Sequence, residues 1–169
     1  ALTALGLLRK VVIAPGDKVL VVGASGSIGS AAVQFAKHAG AEVTGVCSTP
    51  RVEFVKALGA DRVLDYTEED FTQSTDRYRL IFDILGRSSF SKCRNVLTQE
   101  GRYLLASFKS KQIRQMVWTS LFGKQKVICA LAPEKSGRLS YVKELVEHGH
   151  LKAIVDEVFP MGEAAEAHR

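Results

Sequence analysis

The chain has 169 residues, of which 46% are hydrophobic and 24% are charged, and it carries a formal net charge of +5. This composition is ordinary for a globular protein, and the length allows one domain with a proper core, which argues against a disordered or fibrous chain. No apolar run approaches the ~20 residues that a membrane-spanning helix needs, so we expect no membrane partner.

The cysteines and histidines predict neither a disulfide framework nor a metal site. Cys47, Cys93 and Cys129 are widely spaced in apolar segments, which is typical of buried free thiols in a reducing compartment. The histidines lack metal-ligand spacing, and His148 and His150 flank a glycine at a predicted helix end. We therefore expect no zinc within this chain and a cytoplasmic location.

Residues 18–29 hold the pattern around which the rest of the chain is arranged. Residues 19–22 form a continuous apolar run, as in a strand buried on both faces of a parallel sheet. Gly23, Gly26 and Gly29 follow in a turn, and apolar residues at helical spacing come next. This order places free backbone N–H groups and a positive helix end at one point. It predicts a dinucleotide pyrophosphate site, with a plain strand-to-helix turn as the alternative.

Strand-like and helix-like segments alternate along the chain. We predict strands at residues 19–22, 42–47, 62–65, 80–85, 103–106 and 127–131. Helices are expected after the glycine turn up to residue 39, and at 50–58, 90–97, 110–122 and 136–148, with an extended segment at 154–159. The alternation predicts an α/β fold, a Rossmann-type doubly wound parallel six-stranded sheet with helices on both faces.

The last two long helices are each predicted to bury an apolar side. In the first, this side consists of Ile113, Met116, Val117 and Leu121. In the second, it consists of Leu139, Val142, Leu145 and Val146.

The end of the second strand indicates which dinucleotide is bound. NAD-binding domains usually carry an Asp or Glu about 20 residues beyond the glycines, where it binds the ribose 2′-OH. Here that position holds Cys47, Ser48 and Thr49, and no acid follows before Glu53. Hydroxyls, a helix N-terminus and Arg51 would favour a 2′-phosphate instead. We predict NADP(H) rather than NAD(H); alternatively, Arg51 is an exposed first-turn residue paired with Glu53.

Six motifs spread over nearly the whole chain occur together. They are Ala-Pro-Gly-Asp-Lys-Val-Leu-Val at 14–21, Gly-Ala-Ser-Gly-Ser-Ile-Gly at 23–29, Leu-Gly-Ala-Asp at 58–61, Asp-Tyr at 65–66, Phe-Asp-Ile-Leu-Gly at 82–86 and Glu-Ala-Ala-Glu-Ala-His-Arg at 163–169. With this combination the chain resembles the medium-chain dehydrogenase/reductase superfamily, in its zinc-type alcohol dehydrogenase-like and quinone oxidoreductase-like branch. Short-chain dehydrogenases would need a Tyr-x-x-x-Lys motif, and none of the four tyrosines has a lysine four residues on.

The resemblance implies where the parts of NADP(H) would bind. The residues implied around the pyrophosphate are Ala24, Ser25, Gly26, Ser27, Ile28 and Gly29. Those implied for the 2′-phosphate and adenosine pocket are Ser48, Arg51 and Tyr66. Those implied to face the nicotinamide half, at the ends of later strands, are Leu85, Gly86, Ser107, Phe108 and Leu131. No residue is assigned a catalytic role.

The resemblance also implies a longer parent protein. Residues 1–17 would lead in from a preceding, largely β domain, residues 18–153 would form the NADP(H)-binding domain, and residues 154–169 would return towards the other domain. That domain would supply most of the substrate pocket and, in zinc-dependent members, the zinc ligands. The parent would transfer a hydride between NADP(H) and a quinone, an enone or another carbonyl or alcohol substrate. We expect the chain alone to be inactive.

Two further predictions concern macromolecular partners. The strand at 127–131 would be an apolar sheet edge, and because such edges are usually covered or paired, we expect a homodimer joined there, as in family members. The alternative function is a non-catalytic module that senses NADPH or binds nucleic acid through the basic stretch 109–126. We expect a solvated face along that stretch, or a surface matched to an acidic partner, instead of a nucleic-acid site.

Overall fold

A computed structural model describes residues 1–131, 137–155 and 158–167. One sheet of six parallel strands forms its centre. The strands are β1 Lys18–Val22, β2 Glu42–Cys47, β3 Arg62–Asp65, β4 Tyr78–Asp83, β5 Leu97–Leu105 and β6 Lys126–Cys129. Their order, β3-β2-β1-β4-β5-β6, confirms the predicted doubly wound sheet.

The strand order reverses its direction between β1 and β4, which lie side by side. The chain adds β2 and β3 on one side of β1, and then β4, β5 and β6 on the other. All carboxyl ends lie at one edge of the sheet because the strands are parallel. The crevice outside the ends of β1 and β4 is where open sheets of this kind bind ligands.

Helices cover both faces of the sheet, as predicted. They are α1 Leu2–Leu8, α2 Ser27–His38, α3 Val52–Ala57, α4 Phe90–Cys93, α5 Ser110–Phe122, α6 Gly137–Glu147 and α7 Ala164–Ala167. Short 3₁₀ turns lie at Thr49–Arg51, Phe71–Gln73, Arg94–Val96 and Met161–Glu163. Residues of α1, α2, α3 and α6 contribute to one core cluster, and residues of α4 and α5 to the cluster on the opposite face.

The central strands send alternate side chains into the two core clusters. Val19 and Val21 belong to the first cluster, whereas Leu20 and Val22 belong to the second. All four side chains are buried, because both faces of the sheet are covered. This is why the strand reads as an unbroken apolar run and not as an alternation of apolar and polar residues.

Two strands end earlier than the apolar pattern predicts. Val22, Asp83, Leu105 and Cys129 form the last paired row across β1, β4, β5 and β6. Hydrophobic residues continue past that row, but no strand is left for them to pair with. The predicted strand ends at 85 and 131 are therefore each wrong by two residues.

The beginning of β5 also differs from the prediction. The expected helix up to residue 97 ends at Cys93 and is followed by the turn Arg94–Val96, and β5 begins at Leu97. Tyr78 of β4 pairs with Leu97, and a register shift follows before the regular pairing resumes. The stretch of β5 between these pairs is irregular and polar, so the apolar pattern gave no sign of a strand there.

The apolar side of α5 is largely exposed, so the prediction that it packs inward is wrong for most of its residues. Met116 packs against the second core cluster. Ile113, Val117 and Leu121 are exposed. Helical spacing identifies an apolar face, but it does not say what covers that face.

In α6 the predicted inward side is only partly buried. Leu145 is buried and Val142 packs partly against the first core cluster, whereas Leu139 and Val146 are exposed. The predicted helix start at residue 136 and the middle of the predicted extended segment, 156–157, lie outside the described residues. Within the described ranges, no helix combines the length and hydrophobicity required to span a membrane.

Candidate functional site

Backbone hydrogen bonds fix the turn after β1 onto the end of β2. The N–H groups of Gly23 and Ala24 donate to the Val46 carbonyl oxygen at 3.1 and 3.0 Å. Gly23 has a φ of +86°, a conformation that glycine adopts at little steric cost. The Gly26 N–H donates to the Gly23 oxygen at 3.2 Å and closes the turn. The chain is thereby turned over the carboxyl edge of the sheet, where α2 begins.

Gly26 and Gly29 differ in how much space a β-carbon would find at each position. A β-carbon on Gly29 would lie 2.0 Å from the Gly23 carbonyl oxygen and 2.8 Å from the Ala24 Cα, so no other residue fits. A β-carbon on Gly26 would meet its nearest atom, the same oxygen, at an ordinary 3.6 Å. The Gly26 backbone is extended, and any residue can adopt it. Internal packing thus requires glycine at 29 but not at 26, where the close approach of a ligand would account for it.

The first turn of α2 presents backbone N–H groups at the sheet edge. The Ser30 N–H donates to the Gly26 oxygen at 2.8 Å, which is the first bond of the helix. Among the described residues, no acceptor takes the N–H groups of Ser27, Ile28 or Gly29. These three donors stand at the positive end of a twelve-residue helix. Such an arrangement can bind an anion.

The predicted residues Ser48, Arg51 and Tyr66 lie together at the ends of β2 and β3. The Arg51 N–H donates to the Ser48 carbonyl oxygen at 2.9 Å, and the Arg51 guanidinium lies 5.9 Å from the centre of the Phe54 ring. The Tyr66 N–H donates to the Cys47 oxygen at 3.1 Å, and the Tyr66 side chain is exposed. The half-buried Ser48 and the exposed Arg51 and Tyr66 therefore place a hydroxyl, a guanidinium and an aromatic ring at neighbouring strand ends.

The sequence analysis did not assign a role to Asp65, an acid at the end of β3, next to Tyr66. Asp65 pairs with Cys47 across β3 and β2. One oxygen of the Asp65 carboxylate accepts the Thr67 N–H at 2.9 Å and the Thr67 hydroxyl at 2.7 Å. Hydrogen bonds from Thr49 and then Thr67 lower the pKa of Asp65. The Asp-Tyr-Thr sequence carried the signal, because aspartate commonly bonds to the backbone two residues on.

The loops after β4 and β5 extend the site to the other side of the glycine turn. A β-carbon on Gly23 would meet the Leu85 Cγ at 3.3 Å, so Leu85 lies over the turn. Gly86 has a φ of +64°, and a β-carbon on it would lie 2.5 Å from the Ser107 carbonyl oxygen. The structure thus places Leu85 against the turn after β1, and the next residue, Gly86, against Ser107.

Two predicted site residues are placed differently. Phe108 is partly buried and packs against the second core cluster, so its ring serves the core. Leu131 follows β6 and its side chain is 75% exposed. None of the described contacts joins Leu131 to Leu85 or to Ser107.

Asp83, the last residue of β4, is a second residue that sequence reasoning missed. It is fully buried, and one of its oxygens accepts the Gly86 N–H at 2.8 Å. The other oxygen accepts the Ser88 N–H at 3.1 Å and the Tyr103 hydroxyl at 2.8 Å. Burial, and then the charge of Asp83, raise the pKa of Tyr103, which therefore keeps its proton and donates. Burial also raises the pKa of the neighbouring Cys93 thiol to about 12, which makes it a poor nucleophile.

The parallel order of the strands and the glycine turn define a Rossmann-type α/β domain. A family model described as zinc-binding dehydrogenase matches residues 58–169, and the chain belongs to this family. The resemblance to medium-chain dehydrogenases and quinone oxidoreductases is confirmed.

Two curated relatives and one solved structure illustrate the similarity. The chain is 29% identical over 158 residues to quinone-oxidoreductase QR1, chloroplastic, of Triphysaria versicolor, which covers 90% of this chain and 48% of that protein. It is 28% identical over 178 residues to NAD(P)H oxidoreductase RTN4IP1, mitochondrial, of Mus musculus, covering 90% and 44%. The quinone oxidoreductase from Coxiella burnetii matches with a TM-score of 0.84 and 27% identity, over 99% of this chain and 53% of that one. The chain spans about half the length of the curated relatives it matches.

The family description names zinc, and a zinc site would need a matching set of donor side chains in this chain. Zinc sites use three or four Cys, His, Asp or Glu ligands grouped at one point. In the part of the chain that the structure describes, no three such side chains come together in a way that could hold a metal ion. The described residues therefore do not fit a zinc site.

Proposed function

We propose that this chain binds NADP(H) across the carboxyl edge of its sheet and serves as the cofactor-binding part of an oxidoreductase. The observation that carries the proposal is the group of three N–H donors at Ser27, Ile28 and Gly29, beside a glycine that internal packing does not require. The names of the relatives, a quinone oxidoreductase and an NAD(P)H oxidoreductase, support a nicotinamide cofactor.

The pyrophosphate is held by the glycine turn. The N–H groups of Ser27, Ile28 and Gly29 donate to its oxygens, and the absence of a side chain at Gly26 lets it approach the backbone. Ala24 takes no direct part through its N–H, because that group already donates to Val46. Ala24 and Ser25 shape the turn that aims the donors.

The adenosine ribose and its 2′-phosphate are held at the ends of β2 and β3. The Ser48 hydroxyl and the Arg51 guanidinium bind the phosphate, and the exposed ring of Tyr66 lies beside the adenosine. The Asp65 carboxylate is engaged by threonine hydrogen bonds, which hold the loops after β2 and β3 together.

The nicotinamide half lies on the β4 side of the glycine turn, beside Leu85, Gly86 and Ser107, with Phe108 behind them and Leu131 at the rim. When bound, the nicotinamide exchanges a hydride with the substrate. This chain orients the ring and excludes water from one of its faces. The names of the relatives support a quinone as the substrate, and the family resemblance extends the proposal to enones and other carbonyl or alcohol compounds.

The organisation of the parent protein is part of the proposal. Residues 18–153 form the cofactor-binding domain, residues 1–17 lead into it, and residues 154–169 leave it towards a second domain that completes the substrate pocket. We expect the chain alone to show no NADPH-dependent turnover. A cytoplasmic location stays a prediction, since the two relatives named above are chloroplastic and mitochondrial.

A homodimer joined at the β6 edge is also proposed. The edge strand Lys126–Cys129 has β5 on one side only, and the neighbouring α5 exposes Trp118, Leu121 and Phe122. Apolar side chains grouped in this way usually mark an interaction surface. A second copy that pairs β6 with β6 would cover both features at once.

The test is a calorimetric titration of the chain with NADPH and NADH in parallel. We expect NADPH to bind more tightly than NADH. Arg51→Ala should lower the affinity for NADPH about tenfold or more, because a charge-assisted hydrogen bond is lost. Lys56→Ala is the matched control, since it removes an exposed cation from α3, the helix that follows Arg51, and this cation pairs with Glu53 at 2.7 Å. NADH binding as tightly as NADPH would contradict the selectivity, and binding of neither would contradict the proposal itself.

A further inference from the structure

The loop that follows β4, residues 84–89, has no regular secondary structure, yet it makes two close contacts. Leu85 lies against Gly23 of the turn after β1, and Gly86 lies against the Ser107 carbonyl oxygen of the loop after β5. The loop therefore stands between the ends of three neighbouring strands, on the β4 side of the crevice. Small displacements of this loop would change the shape of that side of the crevice.

The buried carboxylate of Asp83 holds the loop through two hydrogen bonds, which we call the loop tethers. The two tethers are the N–H groups of Gly86 and Ser88, at 2.8 and 3.1 Å, and they reach different oxygens of the carboxylate. Asp83 itself is held in place by the Tyr103 hydroxyl at 2.8 Å. A fully buried acid is costly to desolvate unless its oxygens are occupied by donors. Here two of its three described donors belong to the loop.

We infer that Asp83 is a positioning residue that holds the loop 84–89 in the conformation needed for the nicotinamide half of the cofactor. The inference rests on the proposed function, because it assigns a task to one side of that site. It does not extend to the adenosine half, since Asp83 makes no described contact with Ser48, Arg51 or Tyr66. The loop tethers and the 2′-phosphate pocket lie on opposite sides of β1.

Substitutions can separate the tethering of the loop from the stability of the buried cluster. Asp83→Asn keeps the shape of the side chain but replaces one acceptor oxygen with a donor. Because both oxygens face donors, either the Gly86 N–H or the pair formed by Ser88 and Tyr103 must lose its acceptor. Tyr103→Phe is the matched control: it removes a buried partner of Asp83 and leaves both loop tethers in place.

The experiment measures the affinity of each variant for NADPH and for 2′,5′-ADP, which lacks the nicotinamide. We expect Asp83→Asn to lower the affinity for NADPH about tenfold and the affinity for 2′,5′-ADP less than about twofold, since only the nicotinamide half depends on the loop. Tyr103→Phe should lower the unfolding temperature but keep the ratio of the two affinities. If Asp83→Asn does not fold, Ser88→Pro removes one tether from the loop side, and it should produce a smaller loss of the same selective kind.

Each remaining outcome decides against the inference. Equal losses for the two nucleotides, no loss for NADPH, or the same selective loss in Tyr103→Phe would show that Asp83 acts only through stability. A wild-type chain that binds neither nucleotide would overturn the proposed function and the positioning role together. If the wild-type chain binds both nucleotides and the variants lose affinity for both to the same extent, the positioning role alone would be overturned.

Discussion

Gly29 packs against the carbonyl oxygen of Gly23 so closely that a β-carbon on Gly29 would lie 2.0 Å from that oxygen. The N-terminus of α2 therefore sits directly on the turn after β1, at a distance that only glycine permits. Gly26, at the N-cap of the same helix, has room for a side chain. The two glycines can thus be separated by mutation into one required by packing and one required by a ligand.

Gly29→Ala and Gly26→Ser should have opposite effects. We expect Gly29→Ala to lower the free energy of unfolding by about 1–3 kcal/mol, the usual cost of overpacking. Gly26→Ser should keep or slightly raise stability, because serine is a favourable N-cap residue. It should nevertheless weaken NADPH binding, because its side chain fills the anion site and competes for the N–H donors. Denaturant unfolding and NADPH titration of both variants measure these effects; unchanged NADPH affinity in Gly26→Ser would count against a pyrophosphate at this turn.

The contact between Gly86 and Ser107 is tested by comparing Gly86 with Gly149. Both glycines have positive φ, +64° and +72°, but a β-carbon on Gly149 would meet no atom within 4 Å. Gly149→Ala should therefore cost only the roughly 1–2 kcal/mol of a left-handed backbone. Gly86→Ala should lower the free energy of unfolding by more than this, since the β-carbon also displaces the Ser107 carbonyl. It should also lower the affinity for NADPH. Equal stability losses, measured by denaturant unfolding, would mean that the two loops are not in contact.

The hydrogen bonds to Asp65 predict a dependence of stability on pH. Because Thr49 and Thr67 lower the pKa of Asp65 in the folded chain, Asp65 stabilises the fold above its ordinary pKa of ~3.9, and this contribution is lost as the pH falls through the lowered value. We expect Asp65→Asn to lower the melting temperature at pH 7, and this difference should shrink as the pH falls through the lowered pKa of Asp65. Glu68→Gln, in the same exposed loop, is the control. A difference between Asp65→Asn and wild type that stays constant down to pH 2 would refute this role.

If the proposed dimer forms through α5 and β6, acidic substitutions in the exposed apolar side of α5 should dissociate it. Trp118 and Phe122 are 67% and 72% exposed, with ring centres 5.0 Å apart. We expect the wild-type chain to sediment as a dimer, and Trp118→Glu combined with Leu121→Glu to sediment as a monomer, because the buried charges would be unpaired. Val12→Glu is the control, since Val12 is even more exposed, at 84%, and its neighbours Val11 and Ile13 pack against the first core cluster, on the other face of the sheet from α5. A monomeric wild type would rule the dimer out.

The sequence predicted those parts of the fold that local pattern determines. β2 and β3 have the predicted bounds, and the glycine turn lies between β1 and α2 as expected. The ends of β4 and β6 could not be predicted, because they depend on the row at which Val22 and Cys129 close the pairing of distant segments. The roles of Asp65 and Asp83 were missed for a related reason. Asp83 is recognisable only through Tyr103, a partner that the fold brings from another strand.

Binding of the pyrophosphate at the glycine turn is tested most directly by amide ¹H–¹⁵N spectra of the chain during titration with NADPH. We expect large, saturable shifts of the Ser27, Ile28 and Gly29 amides, which are the donors left without a described acceptor. The Gly23 and Ala24 amides, already bonded to Val46, should shift less. Saturable shifts centred elsewhere on the chain, or none at all, would contradict the claim that this turn binds the pyrophosphate.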